Sequence, residues 1–139
     1  MWWRNYSLEE VNNRGKKSAV EHLGIEILEL GNNFISGKMP VDQRTIQPAG
    51  ILHGGASVLL AETLGSLASS LMVDPEKMMA VGMEINANHL KPVTSGWVTG
   101  KATILHQGKS THIWSIEIRN ESQKLICISR LTMAIIPKP

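Results

Sequence analysis

A chain of 139 residues, 42% apolar and 19% charged, has enough apolar content for one packed core and lies far from the compositions that stay unfolded. Its formal charge of +2 comes from 14 Lys and Arg scattered along the sequence, and the longest basic run is Lys16-Lys17, which argues against nucleic acid as a partner. Cys127 is the single cysteine, so no intramolecular disulfide forms, and its place in an alternating run reads as a buried structural thiol.

The start, Met1 to Tyr6, passes into polar sequence without the apolar stretch of a signal peptide, and a cytoplasmic location is expected. Ser7 and Ser18 each stand three residues ahead of a Glu, the capping-box pattern, so two short helices are expected, the second ending near Gly24. Ile25 to Leu30 and Phe34 to Met39 flank the turn-forming Gly31-Asn32-Asn33 and read as a hairpin closed by Pro40. After a loop with Gln47-Pro48-Ala49-Gly50, the run from Gly54 to about Met72 is nearly free of charge and spans roughly 28 Å as a helix. Apolar or small residues on all its sides predict burial all round, and Glu62 near its middle argues against a membrane span.

From Met79 onward the period becomes two. Met79 to His89, Gly96 to Leu105, His112 to Arg119 and Lys124 to Ile136 are predicted strands. The sum is an α+β domain over residues 1–139, in which about six mostly antiparallel strands curve around one central helix and residues 1–24 pack on it as a helical segment. Trp97 and Trp114 fall in these strands and read as core or interface aromatics.

Glu62 is the main chemical anomaly, because a carboxylate in an apolar helix loses solvation unless partners replace it. A structural carboxylate reaching solvent or an Arg at a subunit edge stays open beside a catalytic one. Ser66 follows at i+4 on the same face, where its hydroxyl can bond that carboxylate. His53-Gly54-Gly55 stands at the predicted helix start, where unpaired N–H groups and the helix dipole favour a developing oxyanion. Gly55-Ala56-Ser57-Val58-Leu59 lacks the second glycine of a nucleophile elbow, and the five histidines show no metal-ligand spacing, so neither a serine hydrolase nor a metal site is expected.

These residues, together with Met39-Pro40-Val41-Asp42, Gly82, Glu84 to His89 and Ser129 to Thr132, resemble the hotdog-fold thioesterases of the 4-hydroxybenzoyl-CoA thioesterase type found in Arthrobacter. The likeness covers nearly the whole chain and extends to the 1,4-dihydroxy-2-naphthoyl-CoA hydrolases of menaquinone synthesis and the proofreading thioesterases of enterobactin synthesis. It implies hydrolysis of aromatic or broader acyl-CoA thioesters, coenzyme A being part of substrate and product and no cofactor being needed. An acyl carrier protein as acyl donor, and a non-catalytic acyl-CoA-binding protein of the same fold, are the alternatives.

The resemblance further implies a homodimer or homotetramer whose sites lie between subunits, with Glu62 as nucleophile or general base. Gln47 and the Gly54 N–H would polarise the carbonyl, and His53 and Ser66 would position water or the thiolate. Coenzyme A would lie on Gly82, His89, Leu90, Lys91 and Pro92, and on His106, Gln107, Gly108, Lys109, Ser110 and Thr111, with Lys91 and Lys109 as phosphate partners. Ala49 stands where this group usually carries Phe, which points to an altered acyl pocket.

Overall fold

The computed structural model describes residues 1–139. Two short helices, α1 (Leu8–Asn13) and α2 (Ala19–His22), precede a hairpin of β1 (Glu26–Leu30) and β2 (Phe34–Pro40). The long helix α3 (Gly54–Leu71) follows, then β3 (Met78–His89), β4 (Trp97–Gln107), β5 (Thr111–Asn120) and β6 (Leu125–Pro137). Every expected element is present, most ends lying within a residue or two of the sequence reading.

The helix starts show why. Ser7 Oγ accepts the Glu10 N–H at 3.1 Å and Ser18 Oγ accepts that of Val20 at 3.2 Å, which satisfies donors that a first turn leaves orphaned. The reciprocal bond, from the cap residue's own N–H to the Glu, forms at neither site. Glu21 accepts the Lys17 N–H at 2.7 Å, whereas Glu10 turns away to pair with Arg4. Asn12 then ties α1 to the sheet: it donates to Ile27 O at 3.0 Å and accepts the Ile27 N–H at 2.7 Å.

The six strands form one antiparallel sheet in the order β1-β2-β4-β5-β6-β3, so α3 carries the chain from one half of the sheet to its far edge. Alternation decides which side chains meet the helix. On β5, His112, Trp114, Ile116 and Ile118 point inward and are buried, while Ser115 and Glu117 face out. Two strand glycines let the helix sit close. A Cβ at Gly37 or Gly100 would come within 2.9 or 2.8 Å of the Leu64 side chain, so Leu64 occupies the space that both leave.

Cys127 is buried as expected, and burial pushes its thiol pKa up, away from the reactive thiolate. Trp114 is a core residue. Trp97 is instead more than a third exposed, with the Lys38 ammonium 4.3 Å from its ring centroid.

The expectation that α3 is buried all round does not hold. Ala56, Ser57, Leu60, Ala61, Leu64, Gly65, Ala68, Ser69 and Leu71 are buried against the sheet, but Val58, Leu59, Glu62, Thr63, Ser66, Leu67 and Ser70 form a half-buried stripe. A single curved sheet covers one side of a helix, and here the other is approached by the N-terminal segment and, at Glu62, by the edge strand at Gly82.

Candidate active site

The site begins where the loop after β2 enters α3. Thr45 is buried and donates through its hydroxyl to Pro40 O at 2.7 Å, while its carbonyl accepts the His53 N–H at 2.8 Å. His53, thus placed, caps α3: its Nδ1 accepts the Gly55 N–H at 2.8 Å. A neutral His53 ring therefore carries its proton on Nε2, which remains free to donate. The Gly54 N–H has no acceptor within the protein, as an oxyanion donor requires.

His89, arriving on the inner face of β3, closes over this helix end. A Cβ at Gly54 would lie 2.7 Å from His89 Nε2, so glycine is needed for the ring to reach the helix end. Gln47, Gly54, His89, Leu90, Lys91 and Pro92 line a cavity of 430 Å³ here. Six of the residues singled out in the sequence therefore share one site. The Gln47 side-chain oxygen accepts the Ala49 N–H, and its amide nitrogen donates to no group of the protein, which leaves both its protons available.

Glu62 lies elsewhere. It is half-buried on the open stripe of α3 and lines a second cavity, of 480 Å³, with Ser66, Leu59, Leu67, Val11 and Arg14. No protein donor bonds its carboxylate, and the expected bond from Ser66 does not form. The carboxylate occupies room left by Gly82 on β3, where a Cβ would come within 2.7 Å of Glu62 Oε1. Any side chain at position 82 would therefore take the room that the carboxylate uses.

The two cavities have no lining residue in common. Along α3, Gly54 and Glu62 are separated by roughly 12 Å at 1.5 Å rise per residue. The turn from His106 to Thr111 joins β4 to β5, closed by the Gly108 N–H donating to Thr111 O at 2.8 Å, and lines neither cavity. Its exposed side chains include Lys109 and Ser110.

Val11, Arg14 and Val20 as walls of the Glu62 cavity had no counterpart in the sequence reading. Nothing local marks them: they reach α3 through a packing contact between segments some 40 residues apart. Ser69, by contrast, belongs to the structure and not to the site. It accepts from Trp114 Nε1 at 2.8 Å and bonds His112 Nδ1 at 3.0 Å, all three side chains being buried.

Residues 49–127 match the model of the thioesterase superfamily, and that span holds both Gly54 and Glu62. The chain belongs to this family. Its fold is that of a thioesterase from Haemophilus influenzae, which superposes with a TM-score of 0.94 at 51% identity, covering 98% of this chain and 94% of that one. Over its whole length it is also similar to the 1,4-dihydroxy-2-naphthoyl-CoA hydrolase of Escherichia coli, at 45% identity over 98% of this chain and 99% of the relative. A proofreading thioesterase of Cronobacter turicensis is 44% identical over 98% of each chain. The protein is a hotdog-fold thioester hydrolase. No helix is long and apolar enough to cross a membrane.

Proposed function

We propose that the chain hydrolyses acyl-CoA thioesters, hydroxybenzoyl-CoA and dihydroxynaphthoyl-CoA among them, to free acid and coenzyme A in sites shared between two copies. The observation that carries this reading is the separation of Gly54, with its free N–H, from Glu62, with its unpartnered carboxylate. Two copies related by a two-fold axis would set the Gly54 end of one helix against the Glu62 stripe of the other, giving two equivalent sites.

Strand β3 offers the surface for it. It is a sheet edge of 12 residues whose outer side has no partner, and Met79, Val81 and Met83 along it are exposed. Long apolar edges invite pairing with another strand.

In such a site the thioester oxygen accepts from the Gly54 N–H and the Gln47 amide, which stabilise the negative charge that grows there. Glu62 either attacks the carbonyl carbon, expelling coenzyme A as thiolate and leaving an anhydride for water to open, or takes a proton from the water that attacks. His53 and Ser66 position that water or the leaving sulfur. Lys91 lines the Gly54 cavity, and Lys109 on the β4–β5 turn is the second cation for the nucleotide phosphates.

Glu62→Gln preserves shape and removes the charge, and is expected to lower kcat/KM for an aroyl-CoA by at least about a hundredfold. Near-normal turnover would overturn the role of Glu62. The shared site has its own test. Glu62→Gln and Gln47→Ala proteins, each inactive, should recover about a quarter of wild-type activity when unfolded together and refolded, since half of the dimers then carry one intact site. No recovery would place both groups in the same copy. A second reading, hydrolysis of an acyl group held by a carrier protein, is favoured by likeness to the proofreading thioesterase and is separated by comparing the two acyl donors directly.

A further inference from the structure

We infer that Arg14 reads a hydrogen-bond-accepting oxygen at the far end of the acyl group, so that acyl groups with a distal hydroxyl or carboxylate are preferred over their unsubstituted counterparts. The inference rests on the thioester-hydrolysis reading of the Glu62 cavity. That cavity of 480 Å³ has the Glu62 carboxylate and the Ser66 hydroxyl on its α3 wall. Its remaining lining is largely apolar, with Val11, Val20, Ile27, Leu59 and Leu67 suited to an aromatic or aliphatic body. Only one cation lines it. Arg14, at the C-terminal cap of α1, stands on the wall contributed by the N-terminal segment.

Arg14 is unengaged by any carboxylate. No acidic side chain lies within ion-pairing distance of it, and its guanidinium rests 5.5 Å from the Tyr6 ring centroid. Glu10, four residues earlier in the chain, has both carboxylate oxygens bonded by Arg4, whose guanidinium holds the Glu10 carboxyl below its ordinary pKa, Arg14 contributing last. The wall itself is fixed. Val11 is buried, and the paired bonds of Asn12 to Ile27 clamp α1 to the sheet, which restricts where the Arg14 stem begins. An acyl group whose carbonyl lies near Glu62 and whose distal end reaches the α1 wall of the same cavity meets the opposite charge there. Arg suits this task because it offers several donors in a plane and stays charged.

The test compares 4-hydroxybenzoyl-CoA, 4-carboxybenzoyl-CoA and benzoyl-CoA as substrates of the wild type, Arg14→Leu and Arg14→Lys. In Arg14→Leu the ratio of kcat/KM for either substituted substrate to that for benzoyl-CoA should fall about tenfold, the scale of one charge-assisted hydrogen bond at a partly solvated site. Arg14→Lys, which keeps the charge, should restore part of that ratio. A ratio unchanged within about twofold in Arg14→Leu overturns the inference while leaving thioester hydrolysis untouched. Should the wild type turn over no thioester, the functional reading falls instead. Calorimetric binding of 4-carboxybenzoate against benzoate then decides on Arg14, with equal affinities in wild type counting against it.

Discussion

The two stripes of α3 both carry polar side chains, but in opposite circumstances. On the sheet-facing stripe, Ser69 is buried and its hydroxyl is used by Trp114 and His112. On the open stripe, Glu62 is half-buried and no group of the protein bonds its carboxylate. A polar group whose bonds are all made inside the fold contributes to stability, whereas one left without partners beside a cavity is held ready for a ligand. Substitutions on the two stripes should therefore separate stability from turnover.

Leu64→Ala should give the largest structural effect. Leu64 is fully buried in the space that Gly37 and Gly100 leave, and emptying it should cost about 2–5 kcal/mol of unfolding free energy, read from denaturant midpoints. Next comes Ser69→Ala. It strands the Trp114 N–H and His112 Nδ1 in a buried site and should cost about 1–3 kcal/mol. Glu62→Gln, on the other stripe, should leave the midpoint within about 0.5 kcal/mol while hydrolysis collapses. A Glu62→Gln protein that melts early, or a Ser69→Ala protein that is stable but inactive, would break the division between the stripes.

Much of this division is invisible in the sequence. Period-two patterning and turn residues place all six strands, and the nearly uncharged run from Gly54 places α3, because these signals are local. The strand order is another matter: only the folded sheet sets β3 at the edge next to β6. Apolar residues around the whole of α3 suggested complete burial, yet Leu59 and Leu67 line a cavity. Composition does not distinguish a side chain facing a core from one facing a ligand. His53 illustrates the same limit, since its position ahead of Gly54-Gly55 marked a site, while its use as helix cap follows from the ring geometry at Nδ1. Arg14 carried no signal, as its relation to Glu62 exists only once α1 is clamped to β1.

The smallest expected effect concerns His112, and it tests the sheet-facing stripe alone. Burial, and then the neighbouring His106 charge, lower the His112 pKa from its ordinary value of 6.5. Trp114 can only donate to Ser69, which leaves the Ser69 hydroxyl proton available to His112 Nδ1 when the ring is neutral with its hydrogen on Nε2. Above about pH 6.5 the imidazole is neutral in both folded and unfolded chains, and its contribution to stability is fully present. As the pH falls below that value, the unfolded chain takes a proton that the folded one refuses, and stability declines until the folded pKa is passed. One proton limits the slope to about 1.4 kcal/mol per pH unit. Urea midpoints measured between pH 8 and pH 5 should therefore fall more steeply for the wild type than for His112→Gln, which cannot titrate. Parallel curves would mean that His112 is protonated within the fold as readily as outside it, and that the bond to Ser69 does not hold the ring neutral.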